Sequence, residues 1–130
     1  MDIERFSSAT PWESVVGYSR AVRAGPFVFV AGCTSTSAGG EFVDGDAGAQ
    51  ARRALANVAA ALERAGTSLE HVVQTRLYVT DIDEWEAVGR AHGEVFGEIR
   101  PATAMVEVSG LIDRRMRVEI EAVAYDLALA

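Results

Sequence analysis

Hydrophobic residues follow two periods along the chain, and these periods predict a mixed α+β protein. Alternation with period two is typical of strands, whereas recurrence every three to four positions is typical of amphipathic helices. Strands are predicted at residues 19–22, 26–33, 72–80, 104–108 and 117–125, and helices at residues 46–65 and 83–100. Residues 1–15 show no sustained period and predict an edge strand or an extended arm. The order is β-β-α-β-α-β-β, with both helices expected on one face of a mixed sheet.

Both helices have signals at their ends. Asp46 suits the N-cap of the first helix, and Gly66 stands where a left-handed residue commonly follows a helix. The second helix begins near Asp83 and must end before Pro101, because proline cannot continue it. Its apolar stripe predicts that Trp85 lies in the core. Residues 34–46, between strand and helix, are long enough to form a functional loop.

The strand at residues 26–33 is apolar on both faces. Alternation predicts one face with Phe27, Phe29, Ala31 and Cys33, and the other with Val28, Val30 and Gly32. A strand of this kind is expected to be buried on both sides. Because the helices cover only one face of the sheet, we expect other copies of the chain to cover the second, in a closed oligomer.

Length and charge narrow the possible functions. The 130 residues, of 13.9 kDa, are expected to form one domain spanning residues 1–130. The formal net charge is −7, and every basic side chain is an arginine. A lysine Schiff base is therefore impossible, and the acidic balance disfavours a nucleic-acid partner.

Few cofactor or targeting signals are present. The chain has no phosphate-binding glycine motif, and its one cysteine, Cys33, is interpreted as a small core residue. His71 and His92 are 21 positions apart and do not resemble a zinc pair, so neither a metal nor a cofactor is expected. No segment predicts a signal peptide or a membrane span, which favours a cytoplasmic protein.

Three glutamates in strands are candidates for proton transfer. Glu107, Glu119 and Glu121 each stand among alternating apolar residues, although glutamate is disfavoured in strands. A partly buried carboxylate without a partner has a raised pKa and can act as an acid or base. The alternative is a structural ion pair with Arg76 or Arg117, which we favour for Glu107 and Glu121 but not for Glu119.

Several ordered motifs together resemble the Rid/YjgF family, the reactive-intermediate deaminases once labelled L-PSP endoribonucleases. The motifs are Gly17-Tyr18-Ser19, Val30-Ala31-Gly32, Gln50-Ala51-Arg52, Pro101-Ala102-Thr103-Ala104-Met105-Val106-Glu107-Val108 and Val118-Glu119-Ile120-Glu121-Ala122-Val123-Ala124. The resemblance implies a chorismate-mutase-like α+β fold and a homotrimer with three intersubunit clefts for a small-molecule ligand. Its best-known members hydrolyse enamines or imines to 2-oxo acids and ammonia.

The resemblance also implies roles for particular residues. Tyr18 matches a tyrosine that lines the cleft, Glu119 matches a glutamate that positions water, and Gly32 matches a glycine whose backbone borders the pocket. The arginine that holds the substrate carboxylate in the family is replaced by Thr103. Further departures from the family pattern are Ala31, Met105, Gly89 and His92. The catalytic candidates are Glu119 and Tyr18, and the substrate-binding candidates are Thr103, Gly32, Ala31, Cys33, Met105 and His92.

Three functions remain open from the sequence. The first is a hydrolase or deaminase for a small imine or enamine, inefficient with carboxylate substrates because threonine cannot form the arginine's charge-assisted bonds. The second is a non-catalytic trimer that binds a metabolite or a partner. The third, an endoribonuclease, is suggested by the former family label alone and is disfavoured by the acidic charge and the absence of an aromatic stacking platform.

Overall fold

The protein is a six-stranded mixed sheet with two long helices on one face. The computed structural model describes residues 2–130. The order of strands across the sheet is β1-β2-β3-β6-β4-β5; β4 and β5 are parallel, and the other neighbours are antiparallel. The strands are β1 (Ile3–Phe6), β2 (Ala21–Ala24), β3 (Phe27–Cys33), β4 (Val72–Val79), β5 (Ala102–Glu107) and β6 (Val118–Tyr125). The helices are α1 (Trp12–Val16), α2 (Ala47–Arg64) and α3 (Trp85–Phe96), with single 3-10 turns at Leu69–His71, Ile82–Glu84 and Leu127–Leu129. The predicted α+β class is confirmed.

The helix ends follow the sequence signals closely. The Asp46 carboxylate accepts a hydrogen bond from the Ala49 amide at 2.9 Å and caps α2. Gly66 has a φ of 93°, so the predicted left-handed residue after the helix is confirmed. Helix α3 begins two residues later than predicted, because the 3-10 turn at Ile82–Glu84 precedes it.

The N-terminal segment contains a strand and a short helix, whereas the sequence predicted only an edge strand or an extended arm there. Strand β1 pairs with β2 at the edge of the sheet, as expected for an edge strand. The short helix α1 was not predicted, because five residues are too few to show a helical period. Strand β2 also runs two residues beyond the predicted end at Val22, so the turn into β3 is confined to Gly25 and Pro26.

Two bulges correct the assignment of residues to faces. The register between β3 and β6 shifts between Val30 and Cys33, so Cys33 is buried in the core and not on the face of Phe27 and Phe29. A second shift, in β4 between Val72 and Gln74, leaves Val73 47% exposed, although Val72 beside it is buried. A bulge adds one residue to a strand and reverses the alternation beyond it.

The core lies between the sheet and the helices, and the opposite face of the sheet is open. On β6, Val118, Ile120, Ala122 and Ala124 are buried beneath the helices, as predicted. The prediction that β3 is buried on both sides is wrong for a single protomer, because Phe29 is 47% exposed and stacks on the exposed Phe27. We call this uncovered side the open face; it carries Phe27, Phe29, Glu119, Glu121, Val123 and Tyr125.

Trp85 is 58% exposed, so the prediction that it lies in the core is also wrong. It occupies the first position of α3, three residues before the buried Val88. Across residues 2–130, no helix combines the length and apolar character needed to cross a membrane.

Candidate functional site

Glu119 is the one strand glutamate whose carboxylate has no protein partner among residues 2–130. It projects from β6 onto the open face and is partly buried. Burial raises the pKa of Glu119, the neighbouring Glu121 carboxylate raises it further, and Arg20 opposes both. A carboxylate that water does not fully solvate and that no cation neutralises is suited to accept a proton.

Gly32 provides the space for this carboxylate. A Cβ atom on Gly32 would lie 2.6 Å from both Cδ and Oε2 of Glu119, closer than non-bonded atoms approach. The absence of a side chain at position 32 therefore allows Glu119 to lie directly against the β3 backbone, at the bulge. The glycine and the glutamate that the sequence singled out separately form one unit.

A buried arginine connects this unit to Tyr18. Arg20 is 7% exposed, and its Nη1 donates to the Gly32 carbonyl at 2.6 Å and to the Ala31 carbonyl at 3.3 Å. Its Nη2 donates to the Tyr18 hydroxyl at 3.2 Å, and the guanidinium lies 5.4 Å from the centroid of the Tyr18 ring. Arg20 was not predicted as a site residue, although its position directly after Gly17-Tyr18-Ser19 was a usable signal.

Arg20 also lies close to the buried carboxylate of Glu13. Its Nη2 lies 3.8 Å from the Glu13 carboxylate, which accepts a 2.6 Å hydrogen bond from the Thr10 hydroxyl. Hydrogen bonds from Ser8 and Thr10, together with the charge of Arg20, outweigh burial and lower the pKa of Glu13. The arginine is therefore held in place from both sides and fixes the β3 backbone beside Glu119. We call Tyr18, Arg20, Ala31, Gly32 and Glu119 the carboxylate cluster.

Cys33 lies behind that cluster, on its core side, where Arg20 Nη1 donates to Sγ at 3.6 Å. Its side chain is 3% exposed in the core, and burial raises the pKa of the thiol to about 11. The thiol remains protonated at neutral pH, so it is not a nucleophile there. This agrees with the interpretation of Cys33 as a core residue and does not place its side chain where a ligand on the open face would meet it.

Three other candidate residues form a second group, at the outer edge of the sheet. The Thr103 hydroxyl on β5 lies 2.8 Å from the Thr75 hydroxyl on β4, and Thr75 lies 2.9 Å from Nε2 of His92 on α3. Met105 follows two residues after Thr103 and packs against the core. We call Thr75, His92, Thr103 and Met105 the hydroxyl cluster. Thr75 was missed in the sequence, where it reads only as a small polar residue in an apolar strand.

The two clusters lie on opposite faces of one sheet. Thr75 pairs with the buried Ala122, on the side that the helices cover, whereas Tyr78 pairs with Glu119 on the open face. Strands β6 and β4 therefore stand between the Glu119 carboxylate and the Thr103 hydroxyl. One protomer cannot present both groups to one small molecule.

The remaining charged candidates have structural partners. Glu121 accepts a 2.6 Å hydrogen bond from the Tyr78 hydroxyl and lies 3.5 Å from Arg76, so the predicted ion pair is confirmed. The Glu107 carboxylate instead accepts a hydrogen bond from the Ile82 amide at 2.9 Å, so the ion pair predicted for it is wrong.

The two histidines are far from being a metal pair. His71 lies 3.5 Å from the Asp126 carboxylate, while His92 bonds to Thr75 on a different part of the sheet. In the 34–46 loop, Thr34, Ser35 and Thr36 are buried, and the Asn57 amide donates to the carbonyls of Thr34 and Thr36. The Ser35 hydroxyl donates to the Val43 carbonyl at 2.6 Å, whereas Thr34 and Thr36 line a small cavity together with Arg20 and Cys33. A functional role for this loop stays a prediction.

A depression of about 290 Å³ lies on the open face beside the carboxylate cluster. It is lined by Phe29 and Ala31 from β3 and by Glu121 and Val123 from β6, and it is wide open to solvent. Its walls are mainly apolar, and no second wall of this protomer encloses it.

This geometry defines a class: a small α+β protein with an unpaired carboxylate on an uncovered apolar sheet face. The Endoribonuclease L-PSP family profile matches residues 8–126. Rv2704 of Mycobacterium tuberculosis, from the YjgF/YER057c/UK114 family, is 50% identical, with a TM-score of 0.87 over 95% of this chain and 99% of that one. The YjgF gene product of E. coli is 28% identical, with a TM-score of 0.83 over 94% and 98% of the two chains. A RutC family protein of Pyrococcus abyssi is 40% identical over 83% of this chain and 85% of its own.

The chain belongs to the L-PSP endoribonuclease family, also called the Rid/YjgF family. Its fold is the chorismate-mutase-like α+β fold of these structures. Membership supports a small-metabolite-binding or deaminase-like role.

Proposed function

We propose that the protein hydrolyses a small imine or enamine and releases ammonia. The observation that carries this proposal is Glu119: a partly buried carboxylate, unpaired within residues 2–130, with a raised pKa, held against Gly32. In the proposed reaction, the enamine first gains a proton at carbon and loses one from nitrogen to become the imine. Water then adds its oxygen to the imine carbon while Glu119 accepts one water proton and passes it to the nitrogen, which gives an aminoalcohol. Glu119 next moves the hydroxyl proton to the nitrogen as the C–N bond breaks, and a carbonyl compound and ammonia leave.

The active unit is a homotrimer with a cleft between neighbouring subunits. The apolar open face supports this assembly, because a monomer would leave Phe27, Phe29 and Tyr125 in water. The opposite placement of the two clusters supports it further. A cleft between subunits joins the carboxylate cluster of one copy to the hydroxyl cluster of the next, which a single sheet cannot do.

In this cleft Glu119 activates water, and Tyr18 lines the wall with its hydroxyl oriented by Arg20. Ala31 and Gly32 form the backbone border, while Thr103, Met105 and His92 contact the substrate from the neighbouring subunit. Cys33 supports the border from the core and does not touch the substrate. No metal or cofactor takes part, and the protein remains predicted to be cytoplasmic.

The family's endoribonuclease name does not extend to this chain. The net charge is −7, and three of the exposed arginines are already paired: Arg52 with Glu94, Arg115 with Asp113, and Arg117 with Glu84. RNA binding depends on free cationic side chains that release counterions. We therefore expect no RNA cleavage by repurified protein.

The proposal is tested by measuring ammonia release from a panel of 2-imino acids and uncharged imines generated in the assay. Turnover of uncharged imines above the spontaneous rate supports it, with slower turnover of the 2-imino acids. Saturable binding without turnover of any imine would instead assign the protein to the non-catalytic alternative.

Replacement of Gly32 by alanine tests the contact between Gly32 and Glu119. The new Cβ would displace the Glu119 carboxylate, and a displacement of about 1 Å can cost on the order of 100-fold in rate. We expect kcat for Gly32→Ala to fall about 10- to 100-fold. Gly93→Ala is the matched control, because no atom lies within 4 Å of a Cβ built there. Equal kcat values for the two variants would contradict this role of Gly32.

Replacement of Thr103 by arginine tests why carboxylate substrates bind poorly. A charge-assisted bond to a carboxylate contributes roughly 1.5–3 kcal/mol, or about one to two decades in affinity. We expect Thr103→Arg to lower KM for 2-imino acids by about 10- to 100-fold and to leave KM for uncharged imines unchanged or higher. An unchanged KM for the imino acids would place Thr103 outside the substrate's reach.

A further inference from the structure

The Thr103 hydroxyl has two protein neighbours, and its one proton must serve them. It donates to the Pro101 carbonyl at 3.1 Å, and it lies 2.8 Å from the Thr75 hydroxyl. A threonine hydroxyl carries one donor and two acceptor positions. The Pro101 carbonyl can only accept, so the direction of the bond to Thr75 decides how the Thr103 oxygen is used.

The protonation of His92 sets the direction of the hydrogen bond between Thr75 and Thr103, because Thr75 lies between the other two side chains. Thr75 is buried, and its oxygen has only Thr103 and Nε2 of His92 as side-chain partners within residues 2–130. Burial lowers the pKa of His92, which favours the neutral ring at pH 7. The neutral ring allows two arrangements of the hydrogen bonds that link His92, Thr75 and Thr103. With a proton on Nε2, His92 donates to Thr75, Thr75 donates to Thr103, and Thr103 donates to Pro101. With the proton on Nδ1, every bond between the three side chains runs the other way.

Both arrangements use the Thr103 proton inside the protein. In the first arrangement the proton points to Pro101, and in the second it points to Thr75. A ligand that needs a donor can obtain one only if an existing hydrogen bond breaks. A ligand that donates an N–H can use a free lone pair of the exposed Thr103 oxygen, and no existing hydrogen bond has to break.

The arginine nearest to Thr103 in the sequence already has a protein partner. Arg100 is the arginine closest in sequence to Thr103, and its Nε donates to the Gly97 carbonyl at 3.0 Å, at the end of α3. The chain as a whole carries a charge of −7. A carboxylate at Thr103 would thus meet an oxygen acceptor in an acidic protein.

We propose that Thr103 accepts a hydrogen bond from the ligand, so that the cleft selects an amine, amide or amidinium N–H where an arginine would select a carboxylate. This deepens the proposed function by naming the substrate class of the same cleft. The chemical class is a nitrogen-rich, neutral or cationic imine, such as an amidine- or amide-bearing one.

Three planar probes of one size separate donor from acceptor recognition without any turnover. Benzamidine is a donor-only cation, benzamide is neutral and offers an N–H, and benzoate is acceptor-only. Calorimetric titration of the intact protein is expected to rank them benzamidine, then benzamide, then benzoate. Tighter binding of benzoate than of benzamide would overturn the proposal, and so would failure of all three to bind.

Thr103→Val removes the hydroxyl and keeps the shape of the side chain. We expect it to lower benzamidine affinity about tenfold and benzamide affinity about threefold, and to leave benzoate unchanged. Thr80→Val makes the same chemical change just beyond the end of β4, outside both clusters; it is expected to keep both affinities within about twofold. Unchanged benzamide binding by Thr103→Val overturns the proposal.

Thr103→Arg tests the opposite preference. Because arginine can only donate, this variant should bind benzoate more tightly than the other two probes. These binding results are independent of catalysis. If the probes follow the predicted ranking while no imine releases ammonia, the proposed hydrolysis fails and the recognition proposal stands. If imines turn over but the ranking is reversed, the recognition proposal fails alone.

Discussion

Glu119→Gln is expected to reduce kcat for ammonia release by about 10²- to 10⁴-fold, the usual contribution of a positioned general base. Glutamine keeps the length and the hydrogen-bonding oxygen of the side chain but cannot take the proton of the attacking water. The measurement is single-substrate kinetics with an uncharged imine. Normal turnover by Glu119→Gln would remove Glu119 from the mechanism.

Glu121→Gln is the matched control, two residues along the same strand and face. Its oxygen can still accept the hydrogen bond from Tyr78, so kcat is expected to stay within about threefold. Because the Glu121 charge raises the pKa of Glu119, its removal lowers that pKa. The acid limb of the pH–rate profile should therefore move to lower pH in this variant.

The thermal stability of Glu119→Gln distinguishes a loss of catalysis from a loss of fold, because this variant is expected to be more stable than the parent. The folded-state pKa of Glu119 is raised, so the protonated carboxyl is favoured in the fold, and this contribution is lost as pH rises through the folded pKa. The Glu119→Gln variant does not ionise, so it should unfold at a higher temperature than the parent at neutral pH. The difference should vanish at acid pH, below the ordinary pKa of glutamate.

Phe29→Glu is expected to convert the protein to an inactive monomer. Phe29 is the most exposed aromatic side chain of the open face and stacks on Phe27 at a ring separation of 6.1 Å. A carboxylate buried in that interface would lack a partner, which costs several kcal/mol in each copy. The molar mass should fall to that of one 13.9 kDa chain, and turnover should fall at least 100-fold, because the hydroxyl cluster of a neighbour is no longer present.

Leu127→Glu is the matched control for this change. Leu127 is even more exposed, at 68%, but lies in the C-terminal 3-10 turn, outside the open face. It should keep the parent mass and turnover. An active Phe29→Glu monomer would contradict the composite cleft.

The parts of the fold that depend on regular alternation could be predicted from the sequence. On β6 buried and more exposed residues alternate without interruption, so the open-face position of Glu119 followed from period two alone. The α2 boundaries followed in the same way from Asp46 and Gly66. These signals are local, and each one needs only a few neighbouring residues.

Features that depend on pairing between distant residues could not be predicted. The bulge near Cys33 changes which face the side chain occupies, and its position is set by the register with β6, not by the residues of β3. Trp85 fits an apolar helical stripe, but its position at the first turn leaves it without a neighbour to pack against.

The candidate site shows the same division. Tyr18, Gly32 and Glu119 were recognised as separate motifs, while Arg20, which connects Tyr18 to the Gly32 backbone, reads in the sequence as one more surface arginine. Thr75 gains its meaning only from His92 and Thr103, which come from another helix and another strand.

The central claim is that neighbouring copies share each cleft, and the molar mass of the unmodified protein in dilute buffer tests it most directly. Static light scattering should give about three times the 13.9 kDa chain mass, unchanged on dilution through the concentrations used for kinetics. A stable 13.9 kDa species that still hydrolyses imines would show that one protomer suffices, and would contradict the shared cleft.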